Sequence, residues 1–206
     1  DALGEKGVMT GTPMRQSLFE GVREKGLRLA GLDGQKPVLL MMGGSLGAQS
    51  VNAALRQALR ALLEKLDVIH LTGKGNLDES LKGTPGYVQF EFLSDELPDV
   101  MACADYILSR AGSNALCEFQ ALEKPMLLVP YPKGASRGDQ ILNAESYRAR
   151  GLAHVLLQEN MTAETLTQAI FDLMADRDGL LERLKNAPPA NGTQAVLRLI
   201  EEIQQK

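Results

Sequence analysis

Apolar residues along this chain follow two alternating patterns. A continuous apolar run at residues 36–42 predicts a buried parallel strand, and strand signals recur at 67–71, 87–91, 105–108, 126–129 and 154–157. Between the runs, apolar residues recur every three or four positions and predict helices over 49–65, 97–103, 113–122, 137–150, 163–175 and 177–186. Alternating strands and helices are typical of a parallel sheet with helices on both faces. We therefore expect the α/β class, with a doubly wound, Rossmann-like sheet.

The beginning of the chain departs from this alternation. Residues 7–9 have the composition of a strand that is entered midway, residues 10–15 form a loop, and a helix is expected near 16–25. The first residue is Asp1 rather than Met. We therefore expect a fragment of a longer protein, in which residues 1–15 enter from a preceding domain.

The end of the chain is set off by a break. Residues 188–192 read Pro-Pro-Ala-Asn-Gly, and an apolar stripe that includes Ile200 and Ile203 follows them. A stripe of this spacing predicts an amphipathic helix that needs an apolar partner. The expected organisation is a domain over residues 1–190 and a C-terminal helix over 191–206 that packs on a domain outside this chain.

The composition of the chain argues against some classes of function. The 206 residues are 44% hydrophobic and 23% charged, with a net charge of −4, so affinity for nucleic acid or for an anionic membrane surface is not expected. We expect Cys103 and Cys117 to be structural thiols in a reducing compartment. We expect His70 and His154 to lie in the core or at strand ends. The sequence contains no recognisable signal peptide, transmembrane run, catalytic triad or metal-ligand spacing.

The segment 109–118 is the most informative part of the chain, because it joins the fourth predicted strand to a helix. Gly112 permits a tight turn, and Ser113 or Asn114 can cap the helix. Free N–H groups at a helix start attract phosphates. Glu118, one turn into the helix, is placed to accept hydrogen bonds from sugar hydroxyls, although an exposed helix carboxylate is the alternative interpretation.

A second small-residue turn, at 43–48, follows the first predicted strand. Gly43 and Gly44 let a ligand approach the backbone, and Ser45 can donate to a phosphate oxygen. The turn is neither a Walker loop nor a strict dinucleotide-binding fingerprint, so a tight strand-to-helix turn is the alternative. In a doubly wound sheet the strand order reverses between the first and fourth strands, and the crevice there is the usual ligand site.

Aromatic residues at the end of the third predicted strand suggest a surface for a base. Phe92 can stack on the base while the backbone of Leu93 reads its edge. A core aromatic is the alternative, and sequence physics alone favours it.

Two polar loops offer further contacts. Arg15, in a loop stiffened by Pro13, can pair with a diphosphate, or it can be an ordinary surface arginine. Asp139 and Gln140 begin the helix after the fifth strand and can bind sugar hydroxyls, whereas a capping Asp139 in a solvated loop is equally plausible.

Six motifs, taken together and in order, resemble the C-terminal, donor-binding half of the MurG-like glycosyltransferases of the GT-B fold. They are TGTPMR, GGSLGA, HLTGKG, FEFL, SRAGSNALCE and GDQILNA, beginning at residues 10, 43, 70, 90, 109 and 138. The resemblance extends from about Val8 to the last helix. It departs from the family at Thr12, where Asn is usual, and in the loop before Gln140, which leaves the role of Asp139 open.

The resemblance implies a site for UDP-N-acetylglucosamine (UDP-GlcNAc). The implied contacts are Arg15, Gly44 and Ser45 on the diphosphate, Phe92 and Leu93 on uracil, Ser113 and Asn114 on phosphate through their N–H groups, Glu118 on ribose, and Asp139 and Gln140 on the sugar. It also implies inverting transfer of GlcNAc to the lipid I acceptor, undecaprenyl-pyrophosphoryl-MurNAc-pentapeptide, in peptidoglycan synthesis, without metal or cofactor.

In such enzymes the proposed catalytic base, the acceptor site and the membrane-associating patch lie in the N-terminal half. No catalytic residue is therefore expected in this chain, which alone should be inactive. The parent would be a cytoplasmic protein bound peripherally to the inner face of the membrane.

Two alternatives remain at this stage. One is the donor domain of another GT-B sugar transferase. The other is a stand-alone nucleotide-sugar-binding subunit that docks on a membrane partner; an open reading frame extending about 150 residues upstream excludes it.

Overall fold

The computed structural model describes residues 7–8, 10–44, 47–132 and 138–204. Its centre is a six-stranded sheet in which every neighbouring pair is parallel, in the order β3-β2-β1-β4-β5-β6. The strands are β1 (Val38–Met42), β2 (Asp67–Leu71), β3 (Tyr87–Phe90), β4 (Tyr106–Ser109), β5 (Met126–Leu128) and β6 (His154–Val155). This order confirms the predicted doubly wound sheet.

Eight α-helices occupy the described part of the chain. They are α1 (Arg23–Ala30), α2 (Gln49–Leu62), α3 (Leu97–Cys103), α4 (Ser113–Ala121), α5 (Asp139–Ala149), α6 (Ala163–Ala175), α7 (Arg177–Lys185) and α8 (Thr193–Gln204). Short 3₁₀ helices cover Gln16–Phe19, Glu79–Leu81 and Gln158–Asn160. The bounds agree with the sequence prediction to within a few residues, except at the beginning of the chain.

Both faces of the sheet are buried, which explains the continuous apolar runs. Alternate residues of a strand point to opposite faces. Leu39 and Met41 join the core beneath α2 and α6, while Val38 and Leu40 join the core that includes side chains of α3, α4 and α5. All four are fully buried. A strand covered on both sides needs no polar face, so its sequence does not alternate.

The beginning of the chain differs from the prediction in two ways. Residues 7 and 8 form no strand, and Met9 lies outside the described residues. The single helix expected near 16–25 is instead the 3₁₀ turn followed by α1. The two are separated at Gly21, where a Cβ would lie 2.0 Å from the Pro98 carbonyl oxygen. Close backbone contact with α3 therefore determines where α1 begins.

The two ends of the chain meet. The Thr12 N–H donates to the Ala190 carbonyl at 3.0 Å, the Gly192 N–H donates to the Thr12 carbonyl at 2.9 Å, and Thr12 and Asn191 form a parallel bridge. The Met14 N–H donates to Thr193 Oγ1 at 3.0 Å. The loop before the domain and the break after it are thus held together as a pair.

Helix α8 carries its apolar stripe on an exposed face. Leu197 and Ile200 are each 46% exposed and Ile203 is 73% exposed. Within residues 7–8, 10–44, 47–132 and 138–204, no helix has both the length and the apolar character needed to cross a bilayer.

The two cysteines are unpaired thiols with different surroundings. Cys103 is buried at the end of α3 and Cys117 is partly exposed on α4. Burial raises the pKa of the Cys103 thiol to about 11. Cys103 is therefore a core residue that stays protonated near neutral pH.

Candidate functional site

The two glycine turns singled out in the sequence lie side by side at the carboxyl edge of the sheet. They follow β1 and β4, which are hydrogen-bonded neighbours with Met42 opposite Ser109. Ser109 Oγ donates to the Met42 carbonyl oxygen at 2.7 Å. The strand order reverses at this pair, so the turns flank the crevice that open α/β sheets use for ligands.

The turn after β4 places the start of α4 at the crevice. Gly112 is the residue that precedes the helix, and Ser113 is already its first helical residue. The expectation that Ser113 or Asn114 caps the helix through its side chain is therefore wrong. Ser113 and Asn114 are both exposed at the positive end of the helix dipole. The helix thus begins with exposed residues whose N–H groups are suited to an anion.

Gly112 has a different use from the one predicted. Its φ of −72° is available to any residue, so a tight turn does not require glycine here. A Cβ added at Gly112 would meet nothing within 4 Å. The missing side chain instead leaves open space directly before the helix start.

The turn after β1 does require glycine. Gly44 and Gly47 have φ values of +86° and +75°, in the left-handed region that favours glycine. A Cβ on Gly47 would lie 2.0 Å from the Thr72 carbonyl oxygen, and one on Gly43 would lie 2.5 Å from the Ala48 side chain. Ser45, the expected phosphate donor, lies outside the described residues.

The positive charge of Arg15 lies near enough to Glu118 to act on its carboxyl group, although more than a hundred residues separate the two in the sequence. Glu118 is half-buried, and burial raises the pKa of its carboxyl group while the positive charge of Arg15 opposes that rise. On the preceding residue, Cys117, Sγ accepts a hydrogen bond from Thr12 Oγ1 at 3.3 Å. The loop before the domain therefore lies against α4 and carries an exposed cation to the site.

The residues after β3 form another wall of the crevice. Phe92 is 65% exposed, so the core aromatic favoured by sequence physics is wrong at this position. Leu93 is buried in the same apolar cluster as Ala111 and Leu116. The ring of Phe92 therefore lies exposed just after the carboxyl end of β3, where a planar ligand can stack on it.

The start of α5 faces the same turn. Gly138, with φ of +84°, precedes the helix and Asp139 is its exposed first residue, so the alternative of a capping Asp139 is wrong. Gln140 Oε1 accepts from the Tyr131 N–H at 3.3 Å. Asn143 Nδ2 donates to the Ala111 carbonyl at 3.1 Å, which joins α5 to the turn.

The sequence did not point to Arg110, whose buried side chain links several of the elements around the crevice. Its guanidinium is buried, donates to the Val129 carbonyl at 2.9 Å and to Ser50 Oγ at 2.9 Å, and lies over the Tyr131 ring. These contacts join the ends of β4 and β5 to α2. An arginine directly after a buried strand was the available signal, because such a charge must find several acceptors.

The arrangement combines three kinds of recognition. The starts of α2 and α4, together with Arg15, are suited to binding a diphosphate. Glu118 is suited to accepting hydrogen bonds from sugar hydroxyls, and Phe92 to stacking on a flat base. In the part of the chain that the structure describes, no three His, Cys, Asp or Glu side chains form a group that could hold a metal ion.

A comparison of the sequence with models of known protein families identifies the family of this chain. Residues 38–203 match the model of the glycosyltransferase family 28 C-terminal domain. The chain belongs to this family. The match begins at β1 and ends in α8, so it includes both glycine turns and the break before the last helix.

Curated relatives extend well beyond the matched region. The chain is 48% identical over 199 residues to UDP-N-acetylglucosamine--N-acetylmuramyl-(pentapeptide) pyrophosphoryl-undecaprenol N-acetylglucosamine transferase 2 of Bacillus cereus, covering 97% of the chain and 56% of that protein. It is 48% identical over 197 residues to the corresponding transferase of Geobacillus thermodenitrificans, covering 96% and 55%. The chain thus spans about half the length of the curated relatives it matches.

Solved structures support the same architecture. MurG of Acinetobacter baumannii matches 96% of the chain and 58% of its own length, with a TM-score of 0.71 and 25% identity. CalG4, the calicheamicin glycosyltransferase, matches with a TM-score of 0.63 and 20% identity, over 96% of this chain and 44% of its own. These matches confirm the fold expected from the sequence, one half of a GT-B glycosyltransferase.

Proposed function

We propose that this chain is the donor-binding half of an inverting glycosyltransferase. The complete enzyme would move GlcNAc from UDP-GlcNAc to undecaprenyl-pyrophosphoryl-MurNAc-pentapeptide, converting lipid I to lipid II in peptidoglycan synthesis. The names of the curated relatives support this substrate pair. The observation that carries the proposal is that the turns after β1 and β4 lie side by side where the strand order reverses, with the exposed start of α4 beside them.

Each part of the donor has a proposed partner in the crevice. The diphosphate lies against Arg15, the turn containing Gly44 and Ser45, and the N–H groups of Ser113 and Asn114. Glu118 accepts hydrogen bonds from the ribose hydroxyls. A half-buried carboxylate with a neighbouring cation is suited to that role, because it remains an acceptor in a partly dry site.

The base and the sugar occupy opposite ends of the same site. Uracil stacks on Phe92, and the backbone of Leu93 hydrogen-bonds its edge. Asp139 and Gln140, at the start of α5, contact the hydroxyls of GlcNAc. The exposure of Phe92 supports the first assignment. The link from Asn143 to the Ala111 carbonyl supports the second, since it joins α5 to the turn that is proposed to bind the phosphates.

Stabilisation of the leaving group is the chemical contribution of this chain. As the glycosidic bond to UDP breaks, negative charge develops on the diphosphate. In this proposal, Arg15 and the N–H groups of the two turns lie against the diphosphate, so they stabilise that charge in the transition state without a metal ion. The catalytic base is supplied from outside this chain.

The remaining parts of the complete enzyme follow from the same proposal. Residues 1–190 form the donor domain, with 1–15 entering it, and α8 within 191–206 packs its exposed stripe on the other half. That half also holds the acceptor and associates with the cytoplasmic face of the cell membrane.

Calorimetric titration of the 206-residue chain with UDP and UDP-GlcNAc tests the proposal. We expect weak binding of both and no turnover, and we expect Arg15→Gln to weaken both. Arg28→Gln is the matched control, because Arg28 is exposed on α1 away from the crevice. Absence of UDP binding at millimolar concentration would exclude a donor site. Preference for UDP-glucose or UDP-galactose over UDP-GlcNAc would point to another GT-B transferase.

A further inference from the structure

A line of four buried polar groups runs beneath the crevice, and none of them belongs to the donor contacts proposed above. The phenol of Tyr87 lies 2.8 Å from His70 Nδ1, and His70 Nε2 lies 3.0 Å from Asn52 Oδ1. Asn52 Nδ2 then donates to the Thr72 carbonyl oxygen at 2.8 Å. The side chains come from β3, β2 and α2, so the line lies on the face of the sheet that α2 covers and ends at the loop after β2.

The direction of every hydrogen bond in this line is determined by its last member. The Thr72 carbonyl can only accept, so the amide of Asn52 must present its NH₂ group there and its oxygen to His70. His70 therefore donates through Nε2 and accepts from Tyr87 through Nδ1. Of the two neutral tautomers of His70, only the one protonated on Nε2 satisfies both neighbours.

The environment of His70 enforces this state. The side chain is fully buried, and burial together with the positive charge of Arg56 lowers the His70 pKa to about 3. The same Arg56 donates to the Gln89 side chain at 3.1 Å, beside Tyr87 on β3. His70 is thus neutral across the physiological range and acts as a fixed donor to Asn52.

The end of the line touches the glycine turn. A Cβ on Gly47 would lie 2.0 Å from the Thr72 carbonyl oxygen, so this oxygen is in close contact with the Gly47 backbone. Gly47 in turn donates its N–H to the Gly44 carbonyl at 2.9 Å. The position of the Thr72 carbonyl therefore limits where the turn after β1 can lie.

We propose that His70 is a positioning residue for the donor diphosphate. Through Asn52 it holds the Thr72 carbonyl against Gly47, and this contact fixes the positions of Gly47 and of its hydrogen-bond partner Gly44 beside the proposed phosphate site. The inference rests on the proposed function of that turn. It adds a requirement for one hydrogen-bond donor at the position of His70 Nε2, in a residue that never meets the substrate.

Two amide substitutions at the same position separate this role from simple core packing. The amide nitrogen of Gln is as many bonds from Cα as His Nε2, whereas that of Asn corresponds to Nδ1. His70→Gln can therefore still donate to Asn52, and His70→Asn cannot. We expect the Kd for UDP to rise about tenfold in His70→Asn and to stay near the native value in His70→Gln, as for other groups that orient a site through a second residue.

Tyr87→Phe provides an independent measurement with a smaller change. It removes only the hydroxyl that donates to His70 Nδ1, and nitrogen-15 spectra of the imidazole report the resulting tautomer directly. The native chain should show a protonated Nε2 and a bare Nδ1. Tyr87→Phe should weaken that preference and raise the Kd for UDP by less than His70→Asn does.

The outcomes distinguish the two proposals. If the native chain binds no UDP, the proposed function fails before His70 is considered. If the native chain binds UDP and the folded His70→Asn and His70→Gln variants bind it equally well, the positioning role is wrong. A native imidazole protonated on Nδ1 would also overturn it, and that spectrum needs no variant to fold.

Discussion

Replacing Phe92 with alanine examines the base end of the proposed site. Phe92 is 65% exposed, so its removal uncovers little apolar surface, and the free energy of unfolding should change by no more than about 0.5 kcal/mol. Stacking of a base on an aromatic side chain contributes about 1–3 kcal/mol by alanine substitution. Because only one face of the uracil can rest on Phe92, the lower part of that range applies. We expect the Kd for UDP to rise by a factor of about 5 to 30.

Calorimetric titration with UDP measures this change, and Phe19→Ala is the matched control. Phe19 is also a partly exposed phenylalanine, at 39%, but it ends the 3₁₀ turn before α1 rather than lining the crevice. The control should bind UDP as the native chain does. A Phe92→Ala variant that is folded and binds UDP with native affinity would refute the stacking argument, as would an equal loss in both variants.

Three further predictions concern stability and reactivity. Gly47→Ala should destabilise the fold by more than about 2 kcal/mol in chemical denaturation, because it adds a backbone clash to left-handed strain, whereas Gly83→Ala, with φ of +79° and open space, should cost only about 1–2 kcal/mol. His70 has a folded pKa of about 3 against 6.5 unfolded, so the unfolded chain binds more protons between those values and stability falls as the pH falls. From pH 7 to pH 5 this group alone should remove about 2 kcal/mol, a slope that His70→Gln should lack. Iodoacetamide at pH 8 should label Cys117 in the native chain and spare Cys103, as read by mass spectrometry.

Each of these three predictions would be contradicted by a specific result. Equal destabilisation by the two glycine substitutions would show that the contact with the Thr72 carbonyl carries no cost. A native chain and a His70→Gln variant with the same acid dependence would show that His70 is not buried as a neutral group. Native labelling of Cys103 would contradict its burial.

Much of the fold could be predicted because it depends on local periodicity. The runs that became β1 and β5 are apolar throughout, and only a strand covered on both faces requires that pattern. The alternation with helices then restricts the topology, since parallel strands need crossover connections. The place of the glycine turns at the carboxyl edge follows from the same topology.

Contacts between distant segments could not be predicted in the same way. The charge of Arg15 beside Glu118 depends on how the first loop docks against α4, and no local pattern encodes that docking. The break between the 3₁₀ turn and α1 depends on the Pro98 backbone, which approaches Gly21 from another helix. The line from Tyr87 to Thr72 joins three elements and has no sequence signature at all.

For this protein, the sequence by itself determined the sheet, its helices and the two turns that follow β1 and β4. The reason is that each buried element requires apolar residues at a characteristic spacing, which is visible in the sequence. The tertiary structure alone decided that Phe92 is exposed, that Gly112 rather than Ser113 precedes α4, and that the charge of Arg15 acts on Glu118. The physical reason is the large separation along the chain between the residues that interact. A side chain's exposure and its charged neighbours are set by residues far along the chain, and only the folded packing brings those residues together.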